Sequence, residues 1–338
     1  MCPVPRPTLA DIARAAEVST ATVSHALNGT GRVGESTRRR VRETATALGY
    51  GAAAGTRTIG VAVTTYPRAW RYTEVAYFSR AIAAATTAAH ARGYALTAFP
   101  ADRVAQDTWH GLAVDGMLIM DSPRGDPMVQ ALRARGIPLV FDGAPGDARP
   151  GDRWVDNDHV ATTHEVLDHL AASGARRIAL QSGSGGEHYA RMVTAAYVTW
   201  CADHAMSPLV IPFDEDDDEG HAFDEVLGRI DAVHAVYDPG GRQLLAAAAR
   251  HGLRVPDDLL LVCASEDPGY AQTEPPVTTV TLDPERTART AVSLLVDLIE
   301  GEQPVTGQAG NRQAEVPGPV LVPAGLRPRA SSRRRGMY

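Results

Sequence analysis

Three short runs near the start of the chain space their apolar residues three or four positions apart, which is typical of one face of a helix. Thr8 precedes the first run as a cap, and Ser19 precedes the second. We expect a third helix from about residue 35 to about residue 48. The predicted inward positions are Leu9, Ile12, Ala13, Ala16, Val23, Ala26, Leu27, Val41, Ala45 and Leu48.

Two short helices joined by a tight turn and braced by a third form the helix-turn-helix plan. The N-terminal part of the second helix faces base edges in the major groove, so Thr20, Ala21 and His25 are predicted to read bases. Short polar side chains nearby suit phosphate oxygens, and these are Ser19, Thr22, Ser24 and Asn28. Many three-helix units bind proteins instead, so periodicity alone leaves that alternative open.

From residue 58 onward, apolar runs typical of strands alternate with helical runs. Strand–helix alternation predicts doubly wound parallel sheets. The pattern occurs in two blocks of roughly a hundred residues each, which indicates two lobes with a cleft between them. The predicted fold class is α/β with an all-α N-terminal headpiece, a helix-turn-helix unit followed by a two-lobed domain.

The charge is divided unevenly along the chain. Residues 1–58 contain eight arginines and four acidic residues, whereas the rest contains 25 basic and 36 acidic residues. A basic head on an acidic body indicates that only the head meets phosphate. A solvated basic helix face is the alternative explanation from charge alone.

The composition, 44% hydrophobic and 22% charged, is typical of a folded globular protein. The chain has no apolar run long enough to span a membrane and no apolar signal-peptide core near its start. We therefore expect a cytoplasmic protein with no membrane partner. Cys2, Cys201 and Cys263 lack metal-ligand spacing, so neither a metal nor a cofactor is predicted.

The head resembles that of the lactose-repressor (LacI/GalR) family. The resemblance rests on TLADIA at 8–13, VSxxTVSxxLN at 18–28, VxxxTR at 33–38 and LGY at 48–50. It implies base-reading roles for Thr20, Ala21 and His25, and backbone contacts for Ser19, Thr22, Ser24, Asn28 and Thr37. We add Arg32 to this predicted DNA-binding set.

The head departs from the family pattern at three positions. Glu17 stands where a turn glycine is usual, so a left-handed backbone there should cost about 1 kcal/mol. His25 replaces a frequent arginine and should alter the preferred base. Gly34 stands where a serine usually caps the third helix.

Residues 51–58 are predicted to form a short flexible linker between a headpiece at 1–50 and an effector-binding and dimerisation domain at 59–326. The linker is too short for a two-turn helix followed by a connector. It also lacks a bulky apolar residue that could wedge into the minor groove. Residues 327–338 are predicted to be a basic, disordered tail.

The rest of the chain resembles the periplasmic-binding-protein-like domain of the same family. The resemblance is anchored by DHLAASGARRIA at 168–179, LVCASE at 261–266 and PPVTTV at 275–280. It implies three crossings between lobes, near residues 156, 277 and 310. The first lobe would then comprise residues 59–156 and 278–310, and the second residues 157–277 and 311–326. Ligand would bind between the lobes at the carboxyl ends of the strands.

Several side chains are candidates for this cleft. Asp142 and Asp238 each end a predicted strand, although simple loop capping would explain them too. Ser265 and Glu266 follow another strand, and aromatic residues follow the first strand. The predicted effector-binding set is Tyr66, Trp70, Phe78, Asp142, Arg191, Asp238, Ser265 and Glu266.

Three further segments of the sequence resemble ligand-binding motifs without matching them. His159, His164 and His169 recur every five residues, which turns successive side chains by about 140° and keeps them from one metal ion. The glycine-rich segment 182–186 lacks the lysine of a nucleotide loop and is predicted to be a cleft loop. The acidic segment 214–219 lacks calcium-ligand spacing and is predicted to be solvated.

Together these features predict a ligand-responsive, sequence-specific DNA-binding regulator. We expect a homodimeric repressor on a palindromic double-stranded operator, with activation as the alternative outcome and a small, sugar-like effector in the cleft. A solute-binding module and an enzyme on the same fold are the rival classes. The first requires secretion, and the second requires a nucleophile–base constellation that no recognisable spacing provides.

Overall fold

The computed structural model describes residues 8–27, 33–47, 56–64, 74–99, 109, 111–183, 187–301 and 319–334. The chain divides into two compact units. The first comprises residues 1–58 with 113–115, and the second comprises residues 59–112 with 116–338. Residues 48–55, which include most of the predicted linker, lie outside the described part of the chain.

The headpiece consists of α1 (Leu9–Ala15), α2 (Thr20–Leu27) and α3 (Glu35–Ala47). Thr8 and Asp11 form a reciprocal capping box at the start of α1. Glu17 takes the predicted left-handed backbone, with φ of 51°, and the Ser19 hydroxyl accepts the Thr22 N–H at 3.1 Å. The predicted apolar face is buried, namely Ile12, Ala13, Ala16, Val23, Ala26, Val41 and Ala45.

The first lobe is built on a six-stranded sheet of order β11-β5-β4-β3-β1-β2. Its strands are β1 (Thr58–Val63), β2 (Ala95–Ala98), β3 (Gly116–Met120), β4 (Leu139–Asp142), β5 (Arg153–Asn157) and β11 (Val320–Val322). Its helices are α4 (Ala76–Ala91), α5 (Pro127–Ala134) and α9 (Pro284–Glu300). The β1–β3, β3–β4, β4–β5 and β5–β11 pairs are parallel, and α4 and α9 bury the sheet's apolar core.

The second lobe is built on a six-stranded sheet of order β12-β10-β9-β8-β6-β7. Its strands are β6 (Ile178–Ser182), β7 (Val210–Pro212), β8 (Ala232–Ala235), β9 (Leu260–Ala264), β10 (Thr278–Thr281) and β12 (Gly325–Arg327). Its helices are α6 (His159–Ala172), α7 (His188–Asp203) and α8 (Asp238–Arg250). β12 is antiparallel to β10, and apolar clusters cover both faces of the sheet.

The chain crosses between the lobes after β5, after β10 and after β11. The crossings expected near residues 277 and 310 lie later in the chain than predicted. The hydrogen-bond pairing of β10 and β11 determines where they fall. β10 pairs with β9 in the second lobe, and β11 pairs with β5 in the first. The amide of Asn157 donates to the carbonyls of Leu282 and Val322 at 3.1 and 2.8 Å, so one side chain ties the three crossings together.

The prediction of a disordered tail is wrong for residues 327–334. Ser331 and Ser332 are fully buried in a short 3₁₀ helix. The Ser331 hydroxyl donates to the carbonyl of Leu261 at 2.7 Å, and the Arg329 guanidinium donates to the carbonyl of Val277 at 2.6 Å. These bonds satisfy backbone groups near the starts of β9 and β10. The segment is ordered because it supplies these partners. Residues 335–338 lie outside the described part.

Candidate functional site

The second headpiece helix presents the residues predicted to read bases. Thr20, Ala21 and His25 are exposed on α2, while Val23 and Ala26 of the same helix are buried in the headpiece core. A short helix therefore has one face against its own domain and another open to a partner.

The residues predicted to contact phosphates are less uniform. Ser19 is exposed, and its hydroxyl lies 2.8 Å from that of Thr22, so the two side chains are held in place before any DNA is bound. Ser24 and Thr37 are half-buried. Asn28 and Arg32 lie outside the described residues. Exposed Arg39 and Arg40 on α3 add positive charge to the same domain.

A cavity of about 970 Å³ lies between the two lobes, at the carboxyl ends of their strands. Of the predicted effector-binding residues, Phe78, Asp142, Asp238, Ser265 and Glu266 line it. Tyr66 and Trp70 fall outside the described part of the chain.

The structure does not place Arg191 in the cleft. This residue is exposed on α7 and is absent from the described lining. The buried face of α7 packs into the core of the second lobe and includes Ala190, Val193 and Tyr197. Side chains two positions apart on a helix point about 200° away from each other. Because Val193 is buried, Arg191 points outward.

The first lobe contributes two acids from adjacent strands. Asp121 follows β3 and Asp142 ends β4, and the Tyr77 hydroxyl donates to the Asp142 carboxylate at 2.9 Å. Burial raises the pKa of Asp142 to about 7; the bond from Tyr77 opposes this rise, and the charges of Asp121 and Asp156 add to it. Burial and the charge of Glu187 raise the pKa of Asp121 to about 7 as well.

Asp156 connects the lobes through two imidazoles. It lies in β5 of the first lobe, and His159 and His188 are the first residues of α6 and α7 in the second. Each Nε2 lies 2.8 Å from a different oxygen of Asp156. Burial raises the pKa of Asp156, but the two bonds outweigh burial and lower it overall. The ligand atoms of these three residues lie within 4.8 Å of one another, so they could hold a metal ion.

Two cleft acids of the second lobe, Asp238 and Glu266, lie beside arginines. Asp238, at the start of α8, accepts the Ser265 hydroxyl and lies 3.8 Å from Arg242. Buried Glu266 accepts the Leu282 N–H at 2.8 Å and the Thr281 hydroxyl. Arg80 of the first lobe donates to the Glu266 carboxylate at 3.3 Å and to its carbonyl at 2.9 Å.

Aromatic rings cover much of the remaining wall. Tyr77 and Phe78 meet edge to face with centroids 5.4 Å apart. Tyr237 lies against Phe213 at 4.7 Å and against Tyr189 at 6.4 Å. Rings of this kind cover the apolar faces of a ligand, while the carboxylates accept hydrogen bonds from it.

Sequence reasoning missed much of the polar lining, namely Tyr77, Asp121, Asp156, Asn157, His159, Glu187, His188, Tyr189, Asp214, Glu215, Asp217, His221 and Tyr237. Asp121 could have been found, because it follows a predicted strand just as Asp142 ends one. The histidines could not, since His159 was compared with residues on its own helix and its partners come from β5 and α7.

The architecture joins a helix-turn-helix unit to a two-lobed fold with a cleft, and this combination defines the class of ligand-responsive DNA-binding regulators. Two family models match the chain: "Bacterial regulatory proteins, lacI family" at residues 8–52 and "Periplasmic binding protein-like domain" at residues 167–332. The transcriptional regulator CelR of Thermobifida fusca is 30% identical over 321 residues, which cover 88% of this chain and 93% of that protein. The chain belongs to the LacI family of transcriptional regulators.

Other relatives agree with this assignment. The transcriptional repressor PurR of Vibrio parahaemolyticus is 27% identical over 330 residues, covering 88% of this chain and 93% of that protein. A CelR–cellobiose complex has a TM-score of 0.70 at 25% identity, covering 96% of this chain and 100% of that one. The lac repressor dimer bound to operator and the anti-inducer ONPF has a TM-score of 0.69 at 22% identity, covering 97% and 100% respectively, and shows the shared fold.

These relatives are transcriptional regulators and not enzymes, as predicted for this chain. Among the described residues, no helix is both long and apolar enough to cross a bilayer.

Proposed function

We propose that this chain is a repressor that binds a palindromic operator as a homodimer and responds to a small, sugar-like effector in the interlobe cleft. The observation that carries the proposal is the cleft itself, because both lobes supply polar and aromatic groups to one cavity. A ligand that contacts both lobes binds one degree of closure more tightly than another, and it thereby shifts the protein toward that state.

The DNA-binding part of the proposal rests on α2. Its exposed residues Thr20, Ala21 and His25 can reach base edges, while Ser19, Thr22, Ser24, Asn28, Arg32 and Thr37 are assigned to the phosphate backbone. Two copies of such a helix on a two-fold axis require two half-sites related by the same symmetry. The operator is therefore proposed to be a palindrome.

The effector-binding part rests on Asp142, Asp238 and Ser265, whose polar groups face the cavity beside Phe78. The CelR relative was solved with cellobiose. A ligand rich in hydroxyls would donate to these carboxylates and place its apolar face on the rings. Closure around it would change the spacing of the two heads of the dimer and release the operator.

The DNA contacts can be tested by selecting sites from a random duplex library with the full-length protein. The selected site should be a palindrome. Gel shifts on this site should show an affinity that falls steeply as the salt concentration rises, because phosphate contacts release counterions. We predict that His25→Arg changes the preferred base pair at one position in each half-site, since arginine pairs bidentately with guanine.

His90 is the matched control, because it is an exposed histidine on α4 of the other unit. His90→Arg should leave the selected site unchanged. Identical sites for His25→Arg and the wild type would refute the assignment of His25 as a base reader. The absence of any selected duplex would refute sequence-specific DNA binding altogether.

A further inference from the structure

The cleft contains acidic side chains that no cation of the described lining faces. Asp142 is half-buried, and its carboxylate accepts hydrogen bonds from the Tyr77 hydroxyl, a neutral donor. Glu187 precedes α7 without capping it, and its Oε2 is buried and has no hydrogen-bond partner among the described residues. Both side chains line the same cavity. Burying carboxylates in this way is costly unless something compensates them.

The described basic side chains near the cleft already pair with acids other than Asp142 and Glu187. Arg80 binds Glu266 and Glu285, and Arg242 binds Asp267 beside Asp238. His159 and His188 each lie 2.8 Å from Asp156. The described lining contains no arginine and no lysine. The charges of Asp142 and Glu187 are therefore open to a cation that arrives with the ligand.

From this arrangement we infer that the cleft ligand carries a protonated amine together with hydroxyl groups, as an amino sugar does. This inference rests on the proposed function, because it names the chemical class of the effector at the same site. The ammonium group lies near Asp142 and Glu187, whose charges each interact with that of Asp121, and the hydroxyl groups donate to Asp238 and to Asp156.

The aromatic wall favours an organic cation over a bare metal ion. Tyr77, Phe78 and Tyr189 place rings beside the acids, and ring faces attract ammonium groups as well as covering carbon skeletons. A cavity of about 970 Å³ is also of the size that encloses a drug-sized molecule rather than a single ion. An anionic ligand is disfavoured, because it would meet the carboxylates of both lobes.

The ionisation of Asp142 gives the ammonium a measurable signature. Its pKa of about 7 in the ligand-free protein means that part of the population holds a proton at neutral pH. An ammonium next to this carboxylate lowers its pKa and drives the proton into solution. At about pH 6 the amine is already almost fully protonated while Asp142 still holds most of its proton, so binding of the amine should release protons there. A neutral sugar that only hydrogen-bonds the carboxylate should release fewer.

The test is calorimetry on the full-length protein with two matched pairs of probes, glucose with glucosamine and cellobiose with its doubly amino-substituted analogue. We expect at least one amine to bind about tenfold or more tightly than its hydroxyl partner, which corresponds to about 1.4 kcal/mol. Repeating the titration in buffers of different ionisation enthalpy should show proton release. Asp142→Asn and Glu187→Gln should each reduce the preference toward unity.

Asp203, an exposed acid at the end of α7, supplies the matched control. Asp203→Asn should keep the full preference, and thermal unfolding should show that all three variants are folded. The inference is overturned if no amine binds more tightly than its partner, or if the preference survives both cleft variants. It is also overturned if Zn²⁺ or Ca²⁺ alone binds the wild type and Asp142→Asn abolishes that binding.

The two proposals fail in different ways. If an amine binds with the expected preference but operator affinity does not change, the ligand class stands and the proposed regulation fails. If a neutral sugar releases the operator and the amines do not bind, the regulation stands and the ligand class fails.

Discussion

The cleft acids Asp238 and Glu266 of the second lobe and Asp142 of the first are held in different ways. In the second lobe, Asp238 lies near Arg242, and Glu266 is bound by Arg80. In the first lobe, Asp142 accepts a bond from a tyrosine hydroxyl, and burial with neighbouring acids raises its pKa to about 7. Pairing offsets most of the free energy that burying a carboxylate costs, whereas an unpaired buried carboxylate keeps a cost that a ligand can recover. We propose that this difference separates acids that hold the lobes together from acids that bind the ligand.

The largest expected effect comes from breaking the compensated side. The Glu266 side chain is 3% exposed, and Arg80 binds it from the other lobe while also donating to Glu285 at 2.6 Å. Arg80→Ala leaves this carboxylate buried without its cation. Because the Arg80 side chain is itself 38% exposed, water recovers part of the loss, and we expect a decrease of about 2–3 kcal/mol in the free energy of unfolding.

Urea denaturation measures this decrease, and Arg289→Ala is the control, because Arg289 is exposed on α9. The control should change the free energy of unfolding by less than about 0.5 kcal/mol. Equal effects of the two substitutions would mean that Arg80 does not compensate Glu266, and the contrast between the lobes would disappear.

A smaller effect of opposite sign is expected on the uncompensated side. The pKa of Asp142 is about 7 in the folded protein, above its ordinary value of 3.8. The folded state therefore binds this proton more tightly than the unfolded state, and the carboxylate destabilises the fold increasingly as pH rises from about 4 to about 7. Asp142→Asn removes that charge and keeps an acceptor for Tyr77.

We expect Asp142→Asn to raise the free energy of unfolding by about 1–2 kcal/mol at about pH 8 and by much less at about pH 5. Urea denaturation at both pH values measures the difference, and exposed Asp203→Asn should show no such pH dependence. A destabilised Asp142→Asn protein at high pH would place Asp142 among the structural acids and remove the first lobe from the comparison.

The contrast between local and distant contacts also explains what the sequence could predict. The headpiece was predicted residue by residue, from its caps Thr8 and Ser19 to the left-handed Glu17, because each of these features depends on neighbours within one or two turns. Asp142 and Asp238 were found for a similar reason, since Asp142 ends β4, Asp238 begins α8 shortly after β8, and the apolar run of each strand shows where that strand ends.

Residues that depend on distant partners could not be predicted in this way. Asp156 meets histidines at the starts of two other helices, and the side chain of Asn157 joins crossings more than a hundred residues away. The tail is predicted to be disordered because it is a basic segment near the end of the sequence, yet the Ser331 hydroxyl accepts the N–H of Thr278 in β10 and donates to the carbonyl of Leu261 in β9. The prediction that Arg191 lines the cleft does not agree with the structure, because a resemblance alone does not determine which face of a helix a residue occupies.

The smallest expected effect concerns the other arginine of the second lobe. Arg242 pairs with Asp267, lies 3.8 Å from Asp238, and stacks on the ring of Tyr270 at 4.6 Å, but its side chain is 49% exposed. Water screens most of this attraction, so Arg242→Ala should lower the free energy of unfolding by less than about 1 kcal/mol.

Arg242→Ala should nevertheless affect Asp238. Burial already raises the pKa of this acid, and the charge of Arg242 opposes that rise. Without the arginine, the pKa should rise further, which carbon-detected NMR of the carboxyl group can follow; Arg289→Ala should leave it unchanged. The substitution would make the second lobe resemble the first, with an acid that favours a cationic ligand. An unchanged pKa would show that Ser265, rather than Arg242, limits the rise in the pKa of Asp238.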